Sequence, residues 1–141
     1  TLITLYIVKG MKGTTDNFSY LILLFVICLL GYLWYNAAPS HLMMGDAGSR
    51  AMGIFIAIAA LKTESPFLYI FAAFVLIADG GIGIVKVALL RFLKIKILTN
   101  VRTPLHDHVR KVWDWSNTQT VFRFGIIQIV ISVATIYMLM L

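Results

Sequence analysis

FSYLILLFVICLLGYLWYN, residues 18–36, decides the fold class. From 18 to 35 it runs for 18 residues without a charge and closes on Tyr32, Trp34 and Tyr35. A bilayer core about 30 Å thick needs roughly 20 apolar residues per helix, and Trp and Tyr concentrate at headgroup depth. The stretch therefore predicts a transmembrane helix, with lipid as its solvent. Composition agrees. Of the 141 residues, 60% are hydrophobic and 13% charged, and mean hydropathy is +0.90. A soluble domain keeps about a quarter of its residues charged; too few charges remain here to cover a water-facing globule.

Outward from that helix, 9–17 (KGMKGTTDN) reads as a polar turn with two glycines. Residues 2–8 read as the end of a helix whose beginning lies upstream, since the chain opens at Thr1 already inside an apolar stretch. Beyond 36, a loop to 50 holds Pro39, His41, Gly45, Asp46 and Gly48. The next apolar run, 51–61, has only 11 residues, so this span has to be tilted, lengthened by its flanks or sheltered in protein. A tight turn at 62–66 leads to a long apolar helix interrupted by Asp79-Gly80-Gly81 and by Lys86. The expected fold is all-α: one polytopic membrane domain over 1–141, with full spans at 18–36, 50–62, 66–90 and 120–141, a partial span at 1–8, and loops at 36–50 and 91–119.

Charge orients the bundle. Six of the twelve Lys and Arg residues fall between Arg91 and Lys111. With Arg50 they lie on the side of the 36–50 and 91–119 loops. The opposite turns carry Lys9, Lys12 and Lys62, offset by Asp16 and Glu64. By the positive-inside rule the richer side is cytoplasmic, so both loops are expected to face the cytoplasm and converge. The net charge of +6 is thereby read as a membrane flank and not as a nucleic-acid surface. Cys28 is the single cysteine, which excludes a disulfide framework; it is expected to be buried as packing.

Chemistry-bearing residues cluster in those two loops. In MGDAGS, 44–49, Asp46 stands between glycines just before a helix. It is either a helix cap or a Mg²⁺ ligand beside a helix N-terminus that approaches phosphate, and spacing alone leaves both readings open. In TPLHDHVRK, 103–111, His106 and His108 flank Asp107 beside Arg102, Arg110 and Lys111. Zinc would want more Cys or His at ligand spacing. An anion site fits better, because His and Arg both donate to phosphate oxygens, and an extended loop here would put His106 and His108 on one side. Asp79 and Lys86, seven residues apart, share a helix face and are expected to pair with each other or across helices. Gln128 reads as interhelical polar glue and Arg123 as a snorkelling end residue.

Taken in order, GYLWYNAAPSHLMMGDAGS (31–49), RTPLHDHVRKVWDW (102–115) and VFRFGIIQIVIS (121–132) resemble the phospho-N-acetylmuramoyl-pentapeptide transferase (MraY) family, of the polyprenyl-phosphate N-acetylhexosamine-1-phosphate transferase superfamily. The resemblance covers essentially the whole chain. It implies a multi-pass enzyme of the bacterial cytoplasmic membrane with its active site on the cytoplasmic face. Its partners would be UDP-MurNAc-pentapeptide, undecaprenyl phosphate and the bilayer, with a homodimer left open and no nucleic acid; Mg²⁺ would be the cofactor and lipid I and UMP the products. By the same resemblance Asp46 matches a metal ligand and Asn36 a position beside the nucleotide. His106 and His108 match residues near the phosphates, with Arg102 beside them in the binding set. Met43 stands where relatives place an aromatic over uracil, Lys86 where many carry Gln, Asp79 at a usual Glu, and Asp107 at the middle His of the family's loop. The family's paired aspartates and its Asn-rich Asp-Gly motif are expected upstream of residue 1, so the chain alone is expected to be inactive. A sister transferase using UDP-N-acetylglucosamine is the nearest alternative, and a non-enzymatic membrane subunit the alternative from another class.

Overall fold

The computed structural model describes residues 1–14, 16–37, 39–64, 67–94 and 101–141. Every regular element among them is helical: α1 Leu2–Met11, α2 Asn17–Asn36, α3 Gly45–Leu61, α4 Leu68–Ala72, α5 Phe74–Ala88, a π-helical turn Leu89–Leu93, α6 Leu105–Val112 and α7 Asn117–Met140. The all-α expectation holds. Of these helices α2 and α7 are long and apolar enough to cross a membrane. The helices form two compact units, Thr1–Ala72 with Ile131–Leu141, and Ala73–Val130.

In the first unit, α1 runs three residues into the expected polar turn and carries Lys9 with it into the interior, where it is 2% exposed. A buried ammonium needs a partner. Asp16 supplies one, its Oδ1 2.6 Å from Lys9 Nζ, and Lys62 approaches the other oxygen at 3.8 Å. Asp16 also caps α2 in a reciprocal box with Ser19. Lys12 Nζ donates to the Thr63 carbonyl, so the turns after α1 and α3 meet. Behind them Leu2, Leu5, Ile22, Ile56, Ala59, Ala60 and Ala72 form the core, with Phe18, Phe25 and Phe55 stacked beside it. The buried alanines let backbones approach closely, the usual device of helices packing in lipid. Thr4 Oγ1 donates to Ser132 Oγ, tying α1 to the last turns of α7.

The hydrogen bond from Lys9, foremost, holds the Asp16 carboxyl down at about 2, against a usual 3.8. A depressed folded value means stability that is fully present above pH 3.8 and is lost as pH falls toward 2. Asp16→Asn keeps a good capping side chain but leaves Lys9 without its counter-charge. This variant is expected to melt lower at neutral pH and to lose the acid-side slope; thermal unfolding in detergent between pH 7 and pH 2 checks both.

Three expectations are corrected. Cys28 is exposed on α2 and plays no part in this unit's core. The third helix begins at Gly45, not at 50, so the short apolar run is lengthened through GDAGSR to 17 residues. The span expected at 66–90 breaks at Ala73, where φ −122° and ψ 24° leave the helical region. The break frees the Val75 N–H from its helical partner, and Gln128 Oε1 on α7 accepts it at 3.0 Å, so Gln128 does act as interhelical glue. Residues 65 and 66 of the expected turn and 95–100 of the expected loop lie outside the described residues, as do Thr15 and Ala38.

Candidate active site

Asp46, Asn36 and Met43 belong to the first unit, and Lys86, Arg102, His106 and His108 to the second. Around the first group the chain leaves α2 and folds back on its end: His41 N–H donates to the Tyr35 carbonyl and Ser40 Oγ to Asn36 Oδ1. Met43 is exposed. Gly45 then turns the chain into α3 at φ +66°, a left-handed conformation that favours glycine. Met44 occupies the cap position without a side-chain bond, and Asp46 sits in the first turn. The cap reading of Asp46 is therefore overturned. Its side chain is 92% exposed, and its one ion pair among the described residues, to Arg50 at 3.6 Å, is a weak surface contact. Nothing in the local fold requires a carboxylate there, although the helix dipole favours one.

The second group is organised by α5 and α6. Between them Gly83 faces the 101–104 segment, where a Cβ would meet Thr103 Cβ at 3.4 Å, about van der Waals contact. Lys86 Nζ donates to the Val101 carbonyl at 2.8 Å, which fastens that segment from the same face of α5. Asp79 takes His106 twice: Oδ1 accepts from its backbone N–H and Oδ2 from Nδ1, both at 2.8 Å. Asp79 and Lys86 thus use neighbours from the 101–108 segment and not each other. His108 is held differently, its Nδ1 accepting from the Arg102 N–H at 3.2 Å. Trp113, Trp115 and Arg123 continue from His108 as a run of ring and cation–π contacts.

The 103–111 segment is not extended. Residues 105–112 are helical, so His106 and His108 stand about 200° apart around the axis and do not share a side. The helix was legible: a proline just before it, an acid in its first turn and Arg110 and Lys111 in its last are start and stop signals. Asp107 faces along this helix to Lys111 at 2.8 Å. That hydrogen bond, with Arg110 and Arg102 adding to it, holds the Asp107 carboxyl below its usual range.

A cavity of about 550 Å³ lies in the same unit, walled by Gly80, Gly83, Ile84, Val87, Phe92 and Pro104 with Arg91 as its cation. It is mostly apolar, and Gly80 and Pro104 adjoin Asp79 and the start of α6. Chemically this is room for hydrocarbon, with Arg91 as the one charged side chain among the described residues that wall it. For Asp79 the sequence offered pairing with Lys86 or across helices, because an acid inside an apolar span needs a polar partner; the across-helix alternative holds, and the partner is His106 on the following helix.

The model of glycosyl transferase family 4 matches residues 1–64. A phospho-N-acetylmuramoyl-pentapeptide-transferase of Treponema pallidum (strain Nichols) is 43% identical over 127 residues, 90% of this chain and 34% of that protein. The similarly named proteins of Brachyspira hyodysenteriae (36% over 110 residues, 76% of this chain and 28% of theirs) and Borrelia hermsii (32% over 130 residues, 89% and 35%) also match. The chain spans about a third of the length of these curated relatives. No solved structure matches it.

Proposed function

Because this chain belongs to the phospho-N-acetylmuramoyl-pentapeptide transferase family, we propose that it takes part in Mg²⁺-dependent transfer of phospho-MurNAc-pentapeptide from UDP-MurNAc-pentapeptide to undecaprenyl phosphate, giving lipid I and UMP. The observation that carries this is the second unit's pairing of a histidine-bearing basic helix with an apolar, arginine-edged cavity. A lipid phosphate needs both: hydrocarbon room for its chain and cationic donors for its head. The 36–50 and 91–119 loops are proposed to face the cytoplasm, where the nucleotide donor is found, on the strength of Arg50 and the six Lys and Arg residues between Arg91 and Lys111.

Asp46 fits a magnesium ligand. Mg²⁺ binds hard oxygen and takes only one or two carboxylates alongside substrate phosphates, and Asp46 is an accessible carboxylate with no structural duty. A bound Mg²⁺ supplies charge neutralisation where phosphate oxygens crowd. The chain's own residues then bind and orient. Asn36, Met43 and Lys86 are proposed to contact the nucleotide, and Arg102, His106 and His108 the phosphates.

The test is product formation by the full-length protein in nanodiscs, given UDP-MurNAc-pentapeptide, undecaprenyl phosphate and Mg²⁺. UMP release with a new lipid-linked product is expected, abolished by EDTA, and residues 1–141 alone should form none. Turnover with UDP-N-acetylglucosamine in place of the muramoyl donor would assign the sister reaction instead, and no turnover with either would refute the transferase reading.

A further inference from the structure

Resting on that reading, we propose that Asp79 is the positioning residue for His106 and makes the two histidines unequal, His106 Nε2 a proton acceptor and His108 Nε2 a donor. Helix α6 begins behind Pro104, whose side chain cannot cap, and the first N–H groups of a helix need outside partners. Asp107 and His108 turn theirs to the Pro104 carbonyl. His106 gives its own to Asp79 Oδ1 instead, so a carboxylate from α5 stands at the positive end of α6. The second oxygen of the same carboxylate then fixes the ring at 2.8 Å.

Tautomers follow from what each partner is able to do. An ionised carboxylate only accepts, so His106 Nδ1 carries the hydrogen and, in the neutral form of the ring, the lone pair lies on Nε2. No described residue takes that lone pair. A backbone N–H only donates, so His108 Nδ1 is the acceptor and its Nε2 carries the hydrogen. The second nitrogen's partner thus sets what each first nitrogen offers a substrate. Neighbouring charges are engaged elsewhere: Lys86 on the Val101 carbonyl and Asp107 on Lys111. A phosphate monoester loses its last proton near pH 6, so at neutral pH a fraction still carries P–O–H. His106 Nε2 takes that proton and leaves the oxygen fully anionic; His108 Nε2–H, on the other side of α6, keeps its proton and offers a hydrogen bond there.

The experiment is ¹⁵N NMR of histidine-labelled full-length protein in nanodiscs, with His106 and His108 assigned by single Gln substitutions. The expected wild-type result is Nδ1–H for His106 and Nε2–H for His108. In Asp79→Asn the amide is able to donate to Nδ1, so His106 should move to Nε2–H and kcat should fall at least ~10-fold, with donor KM within about twofold. Asp79→Glu keeps the carboxylate and should restore the Nδ1–H form and most of the turnover. A wild-type His106 found as Nε2–H overturns the proposal without any variant, as does an Asp79→Asn protein whose His106 tautomer and kcat match wild type. Wild-type protein that shows the stated tautomers yet forms no lipid-linked product would sink the transfer reading and leave the positioning role standing.

Discussion

Asp46→Asn in the full-length enzyme is expected to abolish turnover, by ~1,000-fold or more, about 4 kcal/mol of barrier, while the protein unfolds at an unchanged temperature. The two halves of that expectation come from one observation. Asp46 lies in the first turn of α3 with its carboxylate 92% exposed and, among the described residues, only Arg50 paired with it, at 3.6 Å. Exposed ion pairs of this kind contribute little to stability, so removing the charge leaves the fold as it was. Asn matches Asp in size, and since Asp46 is not the cap of α3 the exchange takes from the helix end only an exposed charge on its dipole, a small contribution. What does not survive is a negatively charged oxygen for a divalent cation. Turnover titrated against Mg²⁺ decides: near-normal activity at limiting Mg²⁺ would remove Asp46 from the metal site and leave it as a helix-dipole charge.

His106→Ala and His108→Ala should each lower turnover at least ~10-fold, about 1.4 kcal/mol, and their partners should tell them apart. His106 is bonded to Asp79, so His106→Ala and Asp79→Asn combined should cost little more than either alone. His108 makes no such bond, and its loss should add to that of Asp79→Asn. Asp107→His, by contrast, should be tolerated or mildly activating. Asp107 is spent on Lys111 one turn along α6, and replacing it costs one partly exposed ion pair while removing a negative charge from a site proposed for phosphates. Complete loss of activity in Asp107→His, with a shifted Mg²⁺ dependence, would make Asp107 a metal ligand.

How much of this was legible in the sequence depended on whether the deciding contact was local. Residues 18–36 announce a spanning helix because 18 uncharged residues and an aromatic edge leave no other economical structure. The start of α3 was hidden because GDAGSR is polar, and hydropathy marks where a helix meets lipid and not where its backbone begins. Ala73 carries no warning at all: neither Pro nor Gly stands there, and the break rests on Gln128, 53 residues away, taking the freed N–H. The candidate site shows the same division. Its residue types were readable from two motifs, but their pairing was not. Lys86 and Asp79 share a face and invite a mutual ion pair, and only the close passage of 101–104 past Gly83 brings Val101 and His106 within reach of them.

During synthesis, Lys9 leaves the ribosome seven residues before the acid that neutralises it. On the topology proposed above, the turn after α1 crosses to the outer face, and an unpaired ammonium is expensive to carry through hydrocarbon. Once Asp16 has emerged the two can cross as a neutral pair, and by then the first turn of α2 is forming behind its own cap. The insertion unit is therefore the α1–α2 helical hairpin and not α1 by itself. A ribosome stalled before Asp16 should leave α1 waiting at the membrane entry site, and releasing it should deliver both helices in a single step.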